Sequence, residues 1–145
     1  HLYGVPGGVD GSINALNSNT EVAGFTETEL WKAMKEAIDN SVFGVSDYGN
    51  GDPTNPEFAG IMLKEYMYLL NYSMWEFGST FWDGGSLAPE WNDNSRTPQG
   101  IETNNPLGFA LFNKYFAPVL SKPSVETLRE IFKDNDQGES GYIPD

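Results

Sequence analysis

Apolar and polar positions alternate with a helical period over three long stretches of the chain. Between Thr26 and Phe43, Leu30, Met34, Ala37 and Ile38 fall on one side, and Lys32, Lys35, Glu36 and Asp39 on the other. This is the spacing of an amphipathic helix. Thr26 and Glu29 stand three residues apart, as in a capping box where each side chain satisfies the other's free backbone N–H. Gly44 follows as a stop. A second stretch opens at Asn55-Pro56-Glu57, with a capping amide, a ring that presets φ and an acid beside the positive helix end. It predicts a helix to Phe77–Phe81. Phe58, Ile61, Met62, Leu63, Tyr66, Met67, Leu69, Leu70, Met74 and Trp75 occupy most of its sides. A helix apolar nearly all round is either central or membrane-spanning. Lys64, Glu65, Asn71 and Glu76 interrupt the run, so the expectation is a central helix and no transmembrane segment.

Asn105-Pro106 repeats the start signal for a third helix, which carries Phe109, Phe112, Tyr115, Phe116, Val119 and Leu120. Pro118 should kink or end it. A short fourth helix is expected over 124–133, with Val125, Leu128, Ile131 and Phe132 inward. Residues 1–25 are rich in Gly and Asn without helical period and read as an extended arm, pinned by Leu2, Tyr3, Val5, Val9 and Ile13. Residues 82–105 read as one long loop, packed down because Trp82, Leu87, Trp91 and Ile101 favour burial. The expected fold is all-α: a small irregular four-helix domain over 26–145, with helices near 26–43, 56–80, 106–120 and 124–133, preceded by the arm.

Composition narrows the functions available. Of 145 residues, 39% are hydrophobic and 14% aromatic, enough for a core. Twenty-one acids against eight bases leave a formal charge of −13. Such a surface repels phosphate, so nucleic acid and anionic membranes are not expected partners. The chain has no cysteine, and its one histidine is His1. Disulfides, thiolate metal sites, cysteine nucleophiles and a Ser-His-Asp triad are therefore excluded or nearly so. His1 could chelate copper through its amine and ring, but the second histidine that copper catalysis of this type wants is missing. Absence of an initial Met and a terminal DNDQGESGYIPD suggest a processed chain or a piece of a longer one. Acidity, abundant Asn and Gly, and no cysteine suit an extracytoplasmic or secreted setting rich in calcium.

Candidate chemistry concentrates in loop 82–105. Asp83 and Glu90 are the paired carboxylates an acid/base hydrolase would need, and Trp82 and Trp91 suggest a sugar-stacking platform. The plainer alternative is that the tryptophans anchor the loop and the acids face water. Arg96 is the one cation between Lys64 and Lys114, amid six carboxylates. It reads as a bidentate staple of the loop or as a clamp for a ligand carboxylate. Three stretches offer oxygen ligands for calcium. Asp134 and Asp136, then Ser140, follow a helix and resemble an EF-hand entry, although the acid-to-Gly-Tyr-Ile spacing is about two residues too long. Asp10 and Glu21 match the first and last ligand offsets of such a loop, with Ala15 where glycine is required. Asp47, Asn50 and Asp52 have no recognised spacing. Each also reads as an Asx-turn or solvated acidic loop.

The favoured expectation is a non-enzymatic structural or interaction domain of a larger extracytoplasmic assembly, calcium-stabilised, contacting another protein through the N-terminal arm. The alternative is a carbohydrate-binding or carbohydrate-cleaving module using Trp82, Asp83, Glu90 and Trp91.

Overall fold

A computed structural model describes residues 15–78 and 87–131, the last three as backbone only. Within them the protein is all-α, with five helices: α1 (Glu29–Asp39), α2 (Pro56–Met74), α3 (Pro98–Asn104), α4 (Pro106–Leu111) and α5 (Val125–Ile131). No strand forms among the described residues. The one bridge pairs Phe43 with Trp91. Helices α1 and α4 pack together, α3 packs on α4, and α2 runs beneath both pairs.

Helix α2 starts where its sequence signal stands: the Asn55 side chain accepts from Glu57 N, and Pro56 takes the first position. Helix α1 starts later than expected. Phe25–Glu27 form a 3₁₀ turn, and the cap is Thr28, not Thr26. Thr28 has the extended backbone a cap requires, and its Oγ accepts from Trp31 N at 3.1 Å. There is no Thr26–Glu29 capping box.

Both long helices end sooner than expected, and by the same device. After α1, Val42 N reaches back to Ala37 O and Ser41 N to Ile38 O. After α2, Phe77 N reaches Tyr72 O and Glu76 N reaches Ser73 O. These pairs make Schellman motifs, which need a residue at positive φ. Ser41 (φ 57°) and Glu76 (φ 59°) fill that place without glycine, so composition gave no stop signal there. Gly44 has another role. A Cβ on it would lie 2.0 Å from Pro89 O, so only glycine lets residues 42–44 run beside residues 89–92.

The expected third helix is split. Helix α4 gives way to a π-helical turn over Phe112–Phe116, closed by Ala117 N to Phe112 O at 3.0 Å. Pro118 has no N–H for a continuing ladder, and the wider turn ends the helix just before it. Loop 82–105 also needs correction, because its second half holds α3. Thr97 caps α3 by accepting from Gly100 N at 3.1 Å, and Pro98 takes its first turn. Residues 15–20 lie against the helices: Ala15 O accepts from Leu30 N, Leu16 is buried, and Thr20 Oγ donates to Pro56 O. Residues 1–14 of the arm lie outside the described residues, as does the end of the fourth predicted helix.

Candidate functional site

Of the loop residues singled out from sequence, Trp82 and Asp83 lie outside the described residues, while Trp91, Glu90 and Arg96 lie within them. Trp91 is fully buried. Its Nε1 donates to Ser73 Oγ of α2 and to Ser95 O, each at 3.0 Å. Phe43 and Tyr66 flank its ring at centroid distances of 6.1 and 6.2 Å. No face of the indole is open for a sugar ring to stack on. Trp91 is a core anchor, because an indole buries a large apolar area once its single N–H is satisfied.

The Glu90 carboxylate accepts a short 2.5 Å hydrogen bond from the Tyr48 hydroxyl. Burial, then the nearby Glu90 carboxylate, push the Tyr48 phenol well above its ordinary range. The acid is held by a neutral donor and braces the loop against residues 43–48. Arg96 forms its ion pair with Asp93, three residues back in the same turn. Asp93 is more than half exposed, and this pair fastens one turn of the loop. Asp10, Asp134, Asp136 and Ser140 lie outside the described residues, and Glu21 is exposed. Asp52 is occupied by the backbone N–H and hydroxyl of Thr54, whose hydrogen bonds lower its carboxyl. Among the described residues, no three acidic or imidazole side chains converge as a metal site would require.

Sequence reasoning missed the polar centre of the fold. Asn105 was read as a helix cap, yet its side chain does not cap α4. Buried completely, its amide donates to Ala33 O at 3.0 Å and Glu36 Oε2 at 2.7 Å, while its Oδ1 accepts from the Tyr66 hydroxyl at 2.7 Å. Glu36 Oε2 also accepts from Leu107 N, so the carboxylate caps α4 in place of Asn105. One amide thus ties α1, α2 and α4 together. Burial, then the Glu36 charge, hold the Tyr66 phenol well above its usual range, with Asn105 acting the other way. Gly108 makes room: a Cβ there would lie 2.2 Å from Asn105 Oδ1 and 2.4 Å from the Tyr66 hydroxyl.

The most distinctive surface is the outer side of α2. Helical spacing puts Glu57, Ile61, Lys64, Glu65, Tyr68 and Tyr72 on one face. Ile61 and Tyr68 are each 50% exposed, whereas Met62, Leu63 and Tyr66 on the other sides are fully buried. The Tyr68 and Tyr72 rings pack against each other, centroids 4.8 Å apart and tilted by 37°. Burial, then a hydrogen bond with Tyr72, push the Tyr68 phenol up to about 12. Beside this face runs an apolar groove of about 260 Å³, floored by Leu63 and Met67 and edged by Ser18, Lys64, Tyr68 and Asn71. Asn71 Oδ1 is buried there without a hydrogen-bond partner. No described helix is long and apolar enough to cross a membrane, so the apolar outer face is not that of a spanning segment. No family model, no curated protein and no solved structure matches the chain.

Proposed function

We propose that this chain is a non-enzymatic interaction domain, a subunit of a larger extracytoplasmic assembly that binds another protein through the outer face of α2. One observation carries the reading. The longest helix keeps Ile61 and Tyr68 half in water, beside an apolar groove, although neither the core nor a capping duty needs them there. Grouped apolar exposure of this kind marks a contact surface more often than an inert one. The unsatisfied Asn71 oxygen at the groove's edge offers an acceptor that a partner's donor would complete. The residues nearest to chemistry support the same side. Trp91, Glu90 and Asn105 are all engaged inside the fold, in roles that hold it together. The N-terminal arm remains a second contact in this proposal, as does calcium, which would offset the acid excess in a calcium-rich setting.

Lys64, in the middle of the face, provides the test. The protein in its source material is treated with an amine-reactive cross-linker, and the joined peptides are identified. The proposal expects cross-links from Lys64 to a peptide of another polypeptide chain. Cross-links from Lys64 confined to its own chain would contradict it.

A further inference from the structure

The groove beside α2 is walled by side chains, which limits the shape of what can fill it. The α2 backbone is committed to its own hydrogen-bond ladder, and no strand edge exists among the described residues. An extended peptide would bury its backbone groups against apolar side chains without partners, whereas a helix brings its backbone already satisfied. From Leu63 to Asn71 the groove runs about 12 Å along α2, enough for about two turns of a second helix. Two turns present apolar anchors at positions i, i+3, i+4 and i+7.

Charge narrows the occupant further. Glu57 and Glu65 share the outer face of α2 with Ile61 and Tyr68. The bond from Thr20 Oγ to Pro56 O brings the exposed Glu21 alongside the start of the same helix. None of these three acids has an ion pair among the described residues, whereas Lys32, Lys35, Arg96 and Lys114 are already paired with acids of this chain. Lys64 is the one cation on the face, and its exposed amine can stay in water beside a bound partner. The formal charge of −13 adds a field that attracts cations and that a second copy of this chain would meet as repulsion. From the groove and the acids around it we infer that the partner is a different protein carrying a basic amphipathic helix. Its apolar stripe covers Ile61, Leu63, Met67 and Tyr68, and its lysines or arginines meet Glu21, Glu57 and Glu65.

The inference rests on the proposed interaction role, and a defined probe separates the two. The purified chain is titrated into a trace of labelled peptide, about 18 residues of leucine and lysine at amphipathic helical spacing, and binding is read by sedimentation. The parent should bind this peptide at micromolar concentration, as small interfaces do. A scrambled peptide of the same composition should bind about tenfold more weakly, and a leucine–glutamate peptide should not bind. Ile61→Asp should weaken binding about tenfold or more although it adds an acid, an outcome that attraction between net charges cannot produce. Glu57→Lys combined with Glu65→Lys should also weaken it about tenfold. The same charge change at Glu102 and Glu126, exposed acids away from α2, should weaken it less than about threefold. Each variant should keep the helical circular dichroism of the parent. No binding by the parent, equal binding of the scrambled or acidic peptide, indifference to Ile61→Asp, equal loss from the two charge reversals, or self-association of the chain in place of peptide binding would each overturn the inference. A chain that ignores the peptide while its Lys64 cross-links to a different protein would refute the basic helix and leave the interaction role standing. Peptide binding as expected, with Lys64 cross-links confined to its own chain, would support the chemistry of the groove and refute the role.

Discussion

Neighbouring residues of α2 have opposite fates. Met62 is wholly buried, whereas Ile61, one position earlier, is half in water. On the inner side every polar group has a partner: Tyr66 bonds Asn105, and Ser73 donates to Leu69 O while accepting from Trp91. On the outer side, large apolar residues and three charges, Glu57, Lys64 and Glu65, share the face. A buried side so fully determined leaves little room for function, because each group is already committed to the fold. The outer side is free to serve a partner because the fold does not depend on it.

Substitutions should separate the two sides by size of effect. Trp91→Ala removes the largest buried side chain and orphans the contact to Ser73, so chemical denaturation should report a loss of about 3–5 kcal/mol. Asn105→Leu deprives the Tyr66 hydroxyl of its acceptor and the Glu36 carboxylate of a donor, and should cost about 2–4 kcal/mol in the same measurement. Raising the pH tests the buried Tyr66 and half-buried Tyr48 together with Tyr68 on the outer face. Tyr48, Tyr66 and Tyr68 all have raised phenol values in the fold, against about 10 in an unfolded chain. The fold therefore keeps protons that the unfolded chain releases. Their stabilising contribution is fully present below about pH 10 and is lost as pH rises through 12 and beyond. Melting temperature should fall steadily from pH 10 upward, and tyrosine absorbance should show a fraction titrating late. At the end of α2, Glu76→Gly relieves a left-handed φ of 59° and should raise stability by about 0.5–1 kcal/mol. A destabilised Glu76→Gly would mean that the carboxylate has a compensating role.

Start signals in the sequence were legible where they were local. Asn55-Pro56-Glu57 works as its chemistry requires, and the apolar pattern of α2 correctly makes it central. Thr97-Pro98 carries the same kind of signal but was passed over, because the short α3 buries only Ile101 and shows no apolar period. Helix ends failed for a different reason: Ser41 and Glu76 adopt a conformation usually announced by glycine. The site residues divide in the same way. Burial of Trp91 follows from its being a large aromatic in a packed loop. The Tyr66–Asn105 and Tyr48–Glu90 bonds join residues 39 and 42 positions apart, and no local pattern announces such a meeting. The outer face of α2 was visible only as surplus hydrophobicity, since sequence alone does not say which side of a helix apolar all round is left uncovered.

The difference between Ile61 and Met62 tests the central claim most directly. Ile61→Asp and Met62→Asp place the same charge on adjacent residues, and each variant is measured by thermal melting and by sedimentation with the labelled leucine–lysine peptide. The account predicts that Met62→Asp abolishes cooperative melting, because it buries an unpaired carboxylate in the core. It predicts that Ile61→Asp melts within about 0.5 kcal/mol of the parent, as exposed substitutions do, while losing association. Equal destabilisation by the two variants, or association that survives Ile61→Asp, would contradict the division of α2 into a folding side and a binding side.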